Sequence, residues 1–253
     1  MVNPLRFLFP FVVVGLVWQT MALSGLFPER LFPNLQTIAA ALLKLVESGI
    51  VFVHAYQTLL RLLLGTLLGA ALGILMGLLM GTNKRVEDLL SPWVSIFAPI
   101  PGLAYAPLFM LWFGLGNVSI IVLVGFVTFF PIVLNTWAGV KGVKELWIRS
   151  ARALGASEQV IFRKVIFPAA LPHILTGLRL GLAQGWRILV AAEMLAAVPW
   201  GLGWLIFGAR EFMNTDIMLA GIAVIGLTGL LLEGVVFKQI ERYTVVRWGM
   251  MTA

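Results

Sequence analysis

Residues 149–172 read RSARALGASEQVIFRKVIFPAALP, a polar, basic, turn-punctuated island in a chain that is otherwise almost continuously apolar. Gly155 and Ser157 are placed to break and restart a helix, and Pro168 and Pro172 are expected to stop the second helix and open a long apolar run. Just upstream, ELWIRSARAL at 145–154 sets Trp147, Ile148, Ala151 and Leu154 on one helical stripe and Glu145, Arg149 and Arg152 on the other. Gly155 suits the left-handed residue that closes a helix. Ser157 suits an N-cap, and Glu158 falls where the next helix's dipole favours an acid. The segment therefore predicts a short helix, a tight turn and a second helix: a rigid knuckle with one face fit to enter a groove. Amphipathicity alone also allows it to lie on lipid headgroups.

Around this island, 60% of the 253 residues are hydrophobic and 11% charged, which marks an integral membrane protein rather than a soluble domain. The 18 Lys and Arg against 11 Asp and Glu then read as topology-setting charge, and no nucleic-acid partner is expected. Without cysteine there is no disulfide, thiolate nucleophile or Cys-ligated metal. Apolar windows predict an all-α protein with six transmembrane helices, at about 7–26, 57–80, 91–112, 117–139, 172–198 and 217–237. The first window exceeds a usual signal-peptide core, so it is expected to remain as a span. Pro33–Gly49 is amphipathic, too short and too charged to cross, and expected at an interface. The organisation expected is a first span and interfacial helix over 1–50, a core domain over 51–240 with its cytoplasmic loop at 140–171, and a cytoplasmic tail over 241–253.

Basic residues fix the orientation. Arg6, Lys84, Arg85, Lys141, Lys144, Arg149, Arg152, Arg163, Lys164, Lys238, Arg242 and Arg247 fall on one side, and only Arg30, Lys44 and Arg210 on the other. The positive-inside rule puts the richer side, both termini and the island in the cytoplasm. Trp112, Trp200 and Trp204 near the outer boundary and Trp93, Trp137 and Trp248 near the inner one fit two aromatic belts. Gly65, Gly69, Gly73, Gly77 and Gly81 recur every fourth residue down the second span, and Gly177, Gly181 and Gly185 repeat the device in the fifth. Four residues advance a helix by about 400°, so each series makes a side-chain-free groove for close helix packing, or for a sliding contact during transport.

No phosphate-binding loop, metalloprotease motif or serine-hydrolase elbow occurs in the chain, and its two histidines, His54 and His173, read as interfacial residues rather than metal ligands. Three arginines fall within spans. Arg187 lies about 22 Å along its helix from Pro172, too deep to be a terminal charge, and intramembrane charges usually face a bundle interior or a wet cavity. It can offer an oxyanion a two-pronged hydrogen-bond fork. Alternatively, Glu193 neutralises Arg187 or Arg61 as a structural pair. Arg179 can snorkel toward the cytoplasm. In the third span, Pro99 and Pro101 with Gly102 remove amide donors near mid-membrane, which either lines a pathway or simply kinks the helix.

The island resembles the cytoplasmic EAA loop of the permease subunits of bacterial ATP-binding-cassette importers, whose pattern is E-A-A, three residues, G, nine residues, I-x-L-P. That pattern falls here on Arg149, Ser150 and Ala151, then Gly155, then Val165 to Pro168, with the spacing kept. Arg149 stands where the family has Glu, Ser150 for Ala, Val165 for Ile and Phe167 for Leu. The resemblance extends to APIPGLAYAPLFMLWFGLGN at 98–117, GLRLGLAQGWRILVAAEML at 177–195 and GLGWLIFGAREFMNTDIMLAGI at 201–222, which look like the nitrate, sulfonate and taurine branch. It implies a type I importer permease fold in the bacterial inner membrane, two copies of the permease, two cytoplasmic ATPase subunits carrying ATP and Mg, and an extracytoplasmic substrate-binding protein. No cofactor would belong to this chain. The coupling surface would comprise Arg149, Ser150, Ala151, Arg152, Leu154, Gly155, Ser157 and Pro168, with Pro99, Pro101, Arg187 and Glu193 along the pathway. The cargo would be a small anion or polar organic solute. A self-sufficient secondary carrier or channel, needing no ATPase, is the rival reading.

Overall fold

The computed structural model describes residues 4–196 and 198–237, and among these there is no strand. Eleven α-helices run in order: α1 Pro4–Leu23, α2 Leu35–Glu47, α3 Ile50–Thr82, α4 Lys84–Phe97, α5 Ala106–Phe113, α6 Asn117–Lys141, α7 Glu145–Ala153, α8 Glu158–Ile161, α9 Phe167–Leu195, α10 Leu202–Glu211 and α11 Thr215–Leu231. A tight turn at Gly102–Tyr105 precedes α5, and π-helical turns at Phe162–Ile166 and Leu232–Phe237 follow α8 and α11. The tail expected at 241–253 lies outside the described residues, as do Lys238, Arg242, Arg247 and Trp248.

Four helical segments are long and apolar enough to cross a bilayer among the described residues: Ile50–Thr82, Asn117–Lys141, Glu158–Leu195 and Thr215–Gly234. The expected third span is a broken pair, Lys84–Phe97 and Gly102–Phe113, bent by 95°. Pro99 and Pro101 supply no amide hydrogen, so the ladder cannot pass through them. Tyr105 Oη donates to the Phe97 carbonyl at 3.2 Å, which also accepts from the Ile100 amide at 3.2 Å, so this carbonyl at the end of α4 is satisfied twice. The described apolar part of α1, Phe9–Leu23, is shorter than these spans.

The chain forms two compact units. One contains the described residues up to Thr58 with Pro199–Thr228. Its core joins Ala41 and Leu45 of α2 to Val51 of α3 and Ala220 of α11, so α2 packs on protein as well as facing outward. Trp18 stacks on Phe32 at 4.0 Å, while the Gln19 side chain accepts from the Leu35 amide at 2.9 Å, tying α1 to the start of α2. His54 is buried here within the protein. Its Nδ1 lies 2.9 Å from the Gly201 amide nitrogen and 2.7 Å from the Gly201 oxygen, and Thr58 Oγ1 accepts from the Leu202 amide at 2.8 Å. Two side chains of α3 thereby serve as the N-terminal cap that Gly201 cannot provide for α10.

The other unit, Leu59–Val198 with the described residues from Gly229 on, is organised around α6. Val124, Thr128, Ile132, Thr136 and Val140 form a β-branched ridge along α6, and they face Gly65, Gly69, Gly73, Gly77 and Gly81 of α3 in that order. A methyl group on Gly73 would stand 2.9 Å from Ile132 Cγ2, and one on Gly65 2.6 Å from Val124 Cγ1. Gly177, Gly181 and Gly185 of α9 approach the same helix from another side, against Asn135, Ile132 and Thr128. Burial of apolar surface gives little drive between helices already in lipid, so this dense van der Waals contact is what holds them together. Replacing Gly73 with Leu should therefore lower the stability of the detergent-purified chain by about 1–3 kcal/mol or more through overpacking. Gly226→Leu, where a Cβ meets nothing within 4 Å, should leave the tryptophan-fluorescence melting curve in place.

Candidate functional site

The island folds as a helical knuckle in the second unit. Its first helix, α7, buries none of its residues. Arg149 Nη2 pairs with Glu145 Oε1 at 2.6 Å one turn back, and the Lys144 ammonium stands 5.6 Å over the Trp147 ring. At the end of α7 the Gly155 amide bonds the Arg152 carbonyl at 3.0 Å and the Ala156 amide bonds Ala151 at 3.1 Å, a Schellman closure. That closure needs a left-handed residue, and Gly155 has φ +79°. Arg152 then reaches across the turn to Glu158 at 2.8 Å, stapling α7 to α8.

What the knuckle presents is apolar. Leu154 is 88% exposed, Leu146 69% and Trp147 49%, and Val160 is exposed beside them. Ile148 and Ala151 are half-buried, so the outward stripe is rotated from the expected one and gains Leu146. Ser150 is exposed as well, whereas Ser157 occupies the N-cap position of α8 without a capping hydrogen bond from its side chain.

Pro168 and Pro172 do not stop the second helix, contrary to expectation. From Glu158 to Leu195 the helix is continuous over 38 residues, passing Pro168 by way of the π turn at Phe162–Ile166. In that turn the Phe167 amide bonds the Phe162 carbonyl, five residues back, which resets the ladder just before the proline that has no amide hydrogen. At 1.5 Å per residue the segment is about 57 Å long, nearly twice a hydrocarbon core of about 30 Å. That is more than a span needs, and the polar first turns, with Glu158, Arg163 and Lys164, are the part suited to project beyond the bilayer.

The base of the knuckle is also fixed. Lys141, the last residue of α6, bonds Glu87 of α4 at 2.6 Å, and Lys84 approaches the same carboxylate at 3.4 Å. The sequence placed Lys84 and Lys141 on one side of the membrane but carried no signal that both would meet Glu87.

A second cluster lies deeper in the same unit. Glu193, fully buried, accepts from Arg61 Nη1 at 2.6 Å, and Arg61 Nε donates to Asn117 Oδ1 at 2.8 Å. Glu193 thus closes on Arg61. Arg187 is exposed along the chain's own surface, its Nε donating to the Ala183 carbonyl at 3.1 Å. Arg179 pairs with Glu233 at 3.2 Å. Pro99 and Pro101 lie exposed on the break, while Gly102 is wedged between α6 and α9, where a Cβ would stand 2.8 Å from Val127 and 3.1 Å from Ile188. The broken span therefore abuts α9 at the residue next to Arg187. Among the described residues no group of three or more His, Cys, Asp or Glu side chains is placed to hold a metal ion.

Comparison with known proteins adds to this geometry. Residues 69–243 match the family described as binding-protein-dependent transport system inner membrane component. The taurine transport system permease protein TauC of Escherichia coli K12 is 40% identical over 86% of this chain and 80% of its own length. A putative aliphatic sulfonates transport permease protein, SsuC of Bacillus subtilis 168, is 38% identical over 95% and 86% respectively. An inward-facing crystal structure of the methionine ABC transporter MetNI shares the fold, with a TM-score of 0.67 at 20% identity over 78% of this chain and 96% of the other.

Breaking the buried pair tests the second cluster. Arg61→Met should cost about 3–5 kcal/mol of stability because it strands the Glu193 charge, and Arg61→Met with Glu193→Leu should recover most of that loss. Thermal unfolding of the two variants in detergent decides it, and equal losses would contradict the assignment.

Proposed function

This chain belongs to the family of binding-protein-dependent transport system inner membrane components, and from that membership we propose that it forms the translocation path of an ATP-driven importer of aliphatic sulfonates. It is a multi-pass inner-membrane permease. On this reading two copies enclose the path, two cytoplasmic ATPase subunits dock on the α7–α8 knuckle, and an extracytoplasmic binding protein delivers cargo. With α1 and the broken α4–α5 pair each taken as a span, six spans would keep both termini on one side, and the twelve-to-three division of Lys and Arg supports the cytoplasmic side.

The observation that carries the reading is an exposed apolar knuckle built on the end of a membrane helix. Leu154, 88% exposed beside a left-handed glycine, is a side chain that a partner's groove would cover; lipid could cover the same stripe, and the kept EAA spacing favours the partner. A secondary carrier would leave this surface without a function. When nucleotide binding closes the ATPases, the knuckle moves with them, and because α8 continues into α9 the displacement enters the membrane along one helix rather than through a loose loop. The glycine seams seat the β-branched ridge of α6 directly on the backbones of α3 and α9, so those helices respond as a body. ATP and Mg belong to the partner subunits; this chain contributes the lever.

Arg187 supports the sulfonate assignment. A sulfonate spreads one charge over three oxygens, and a guanidinium meets two of them with parallel N–H donors. Glu193 is already occupied by Arg61, which leaves the Arg187 charge for a cargo anion. Pro99 and Pro101 at the break, with their amide donors missing and their surface exposed, line the same path.

Two variants test these roles. Gly155→Val forces a β-branched residue to φ +79° and should cut ATPase co-purification and sulfonate uptake by roughly tenfold while the chain still inserts. Arg187→Gln should lower uptake by roughly tenfold with the ATPase still bound, since one charged hydrogen-bonding group is worth about 1.5–3 kcal/mol. Wild-type uptake in proteoliposomes by either variant contradicts its role, and uptake by this chain without ATPase contradicts the whole proposal.

A further inference from the structure

Two helices of this protein end in the same closure, but with different residues at its left-handed position. At the end of α10 the Met213 amide bonds Arg210 at 3.1 Å and the Asn214 amide bonds Ala209 at 2.9 Å, repeating the Schellman pattern seen at Gly155. Here the left-handed residue is methionine, at φ +56°. It is the one non-glycine with positive φ among the described residues. A side chain in that conformation crowds its own carbonyl, and glycine would avoid the conflict.

The closure's two hydrogen bonds are open to glycine as well, and side-chain packing adds no reason for methionine. Met213 is 62% exposed and the preceding Phe212 76%, so their side chains gain little from packing. Strain at an exposed position is retained where the displayed side chains serve an outside contact. Phe212 and Asn214 also line two crevices at once. One, of about 460 Å³, carries Glu29, Arg30 and Asp216; the other, of about 370 Å³, carries Trp200 and Trp204. The result is an aromatic and thioether ridge between a crevice of mixed charge and an aromatic one. A lipid tail has no use for the charged crevice, while a folded protein surface can fill both. Exposed aromatics and methionine beside arginine are the residue types that anchor protein contacts.

We infer that this ridge, residues 212–214, is the docking anchor for the extracytoplasmic substrate-binding protein. The family description makes transport dependent on such a protein, and the orientation proposed above puts Arg30 and Arg210 outside, on the side from which it would arrive. The inference rests on that functional reading and assigns it a second partner surface.

The test uses the permease assembled with its ATPase in nanodiscs, titrated with a sulfonate-loaded extracytoplasmic binding protein from the same organism, reading stimulated ATP hydrolysis. Met213→Gly keeps the turn and relieves its strain. It should raise the melting temperature of the complex while increasing by about tenfold the binding-protein concentration for half-maximal stimulation. Phe212→Ser should shift that concentration at least as far, with basal hydrolysis unchanged. Glu29→Lys, which leaves the α10 turn untouched, should shift it by about threefold, more at low salt. An unchanged half-maximal concentration in all three overturns the inference. So does a shift that follows the nanodisc lipid composition, or a loss of the two-copy assembly, either of which would make the ridge a lipid or subunit contact. A wild-type chain that binds no ATPase overturns the functional reading itself, and is seen before any variant is compared.

Discussion

Close packing of the β-branched ridge of α6 against two glycine grooves is the contact on which the rest of the second unit depends. Between apolar helices in a bilayer, burial of apolar surface contributes little, and association falls to van der Waals contact at short range. Gly65 to Gly81 and Gly177 to Gly185 remove the side chains that would hold α3 and α9 away, so Ile132 and Thr128 are gripped from two directions. With α6 fixed, its last residue is fixed too. Lys141 is held by Glu87, and the knuckle begins four residues later on an immobile base.

From that base the chain turns once and returns as the longest continuous helix among the described segments. The Arg152–Glu158 pair and the left-handed Gly155 make the turn stiff, and the π turn carries the helix past Pro168 without a break. Exposed ion pairs of this kind contribute at most about 1 kcal/mol, so the stiffness comes chiefly from the Schellman hydrogen bonds and the lack of any loop. The proposed function follows from this continuity: a pull on Leu154 is a pull on α9, whose other end carries Arg187.

Periodicity alone made the glycine grooves legible, because a four-residue repeat has only one geometric consequence on a helix. Gly155 was equally legible, since a glycine between a helical stripe and a Ser-x-x capping position has few other uses. The prolines misled at Pro168. A missing donor ends an α-helical ladder locally, but one widened turn lets the helix continue, and nothing in the residue pattern reports that widening. At Pro99 and Pro101 the same missing donors ended the helix, and the 95° bend was set by what surrounds it, with Gly102 wedged against Val127 and Ile188. Partner choice was illegible for a similar reason. Glu193 had Arg187 six residues away on its own helix and Arg61 on another, and only three-dimensional packing chose Arg61. The contact of His54 with Gly201 was illegible too, since it depends on a chain return that no local pattern records.

The central claim is that the knuckle is a lever held by a separate motor, and the absence of cysteine permits a direct measurement. A single Leu154→Cys substitution carrying a short photoactivatable label, irradiated in native membranes, reports what lies against that side chain. The account predicts adducts to a cytoplasmic ATPase subunit whose yield changes when ATP is trapped. Adducts to phospholipid alone, with ATP making no difference, would contradict it.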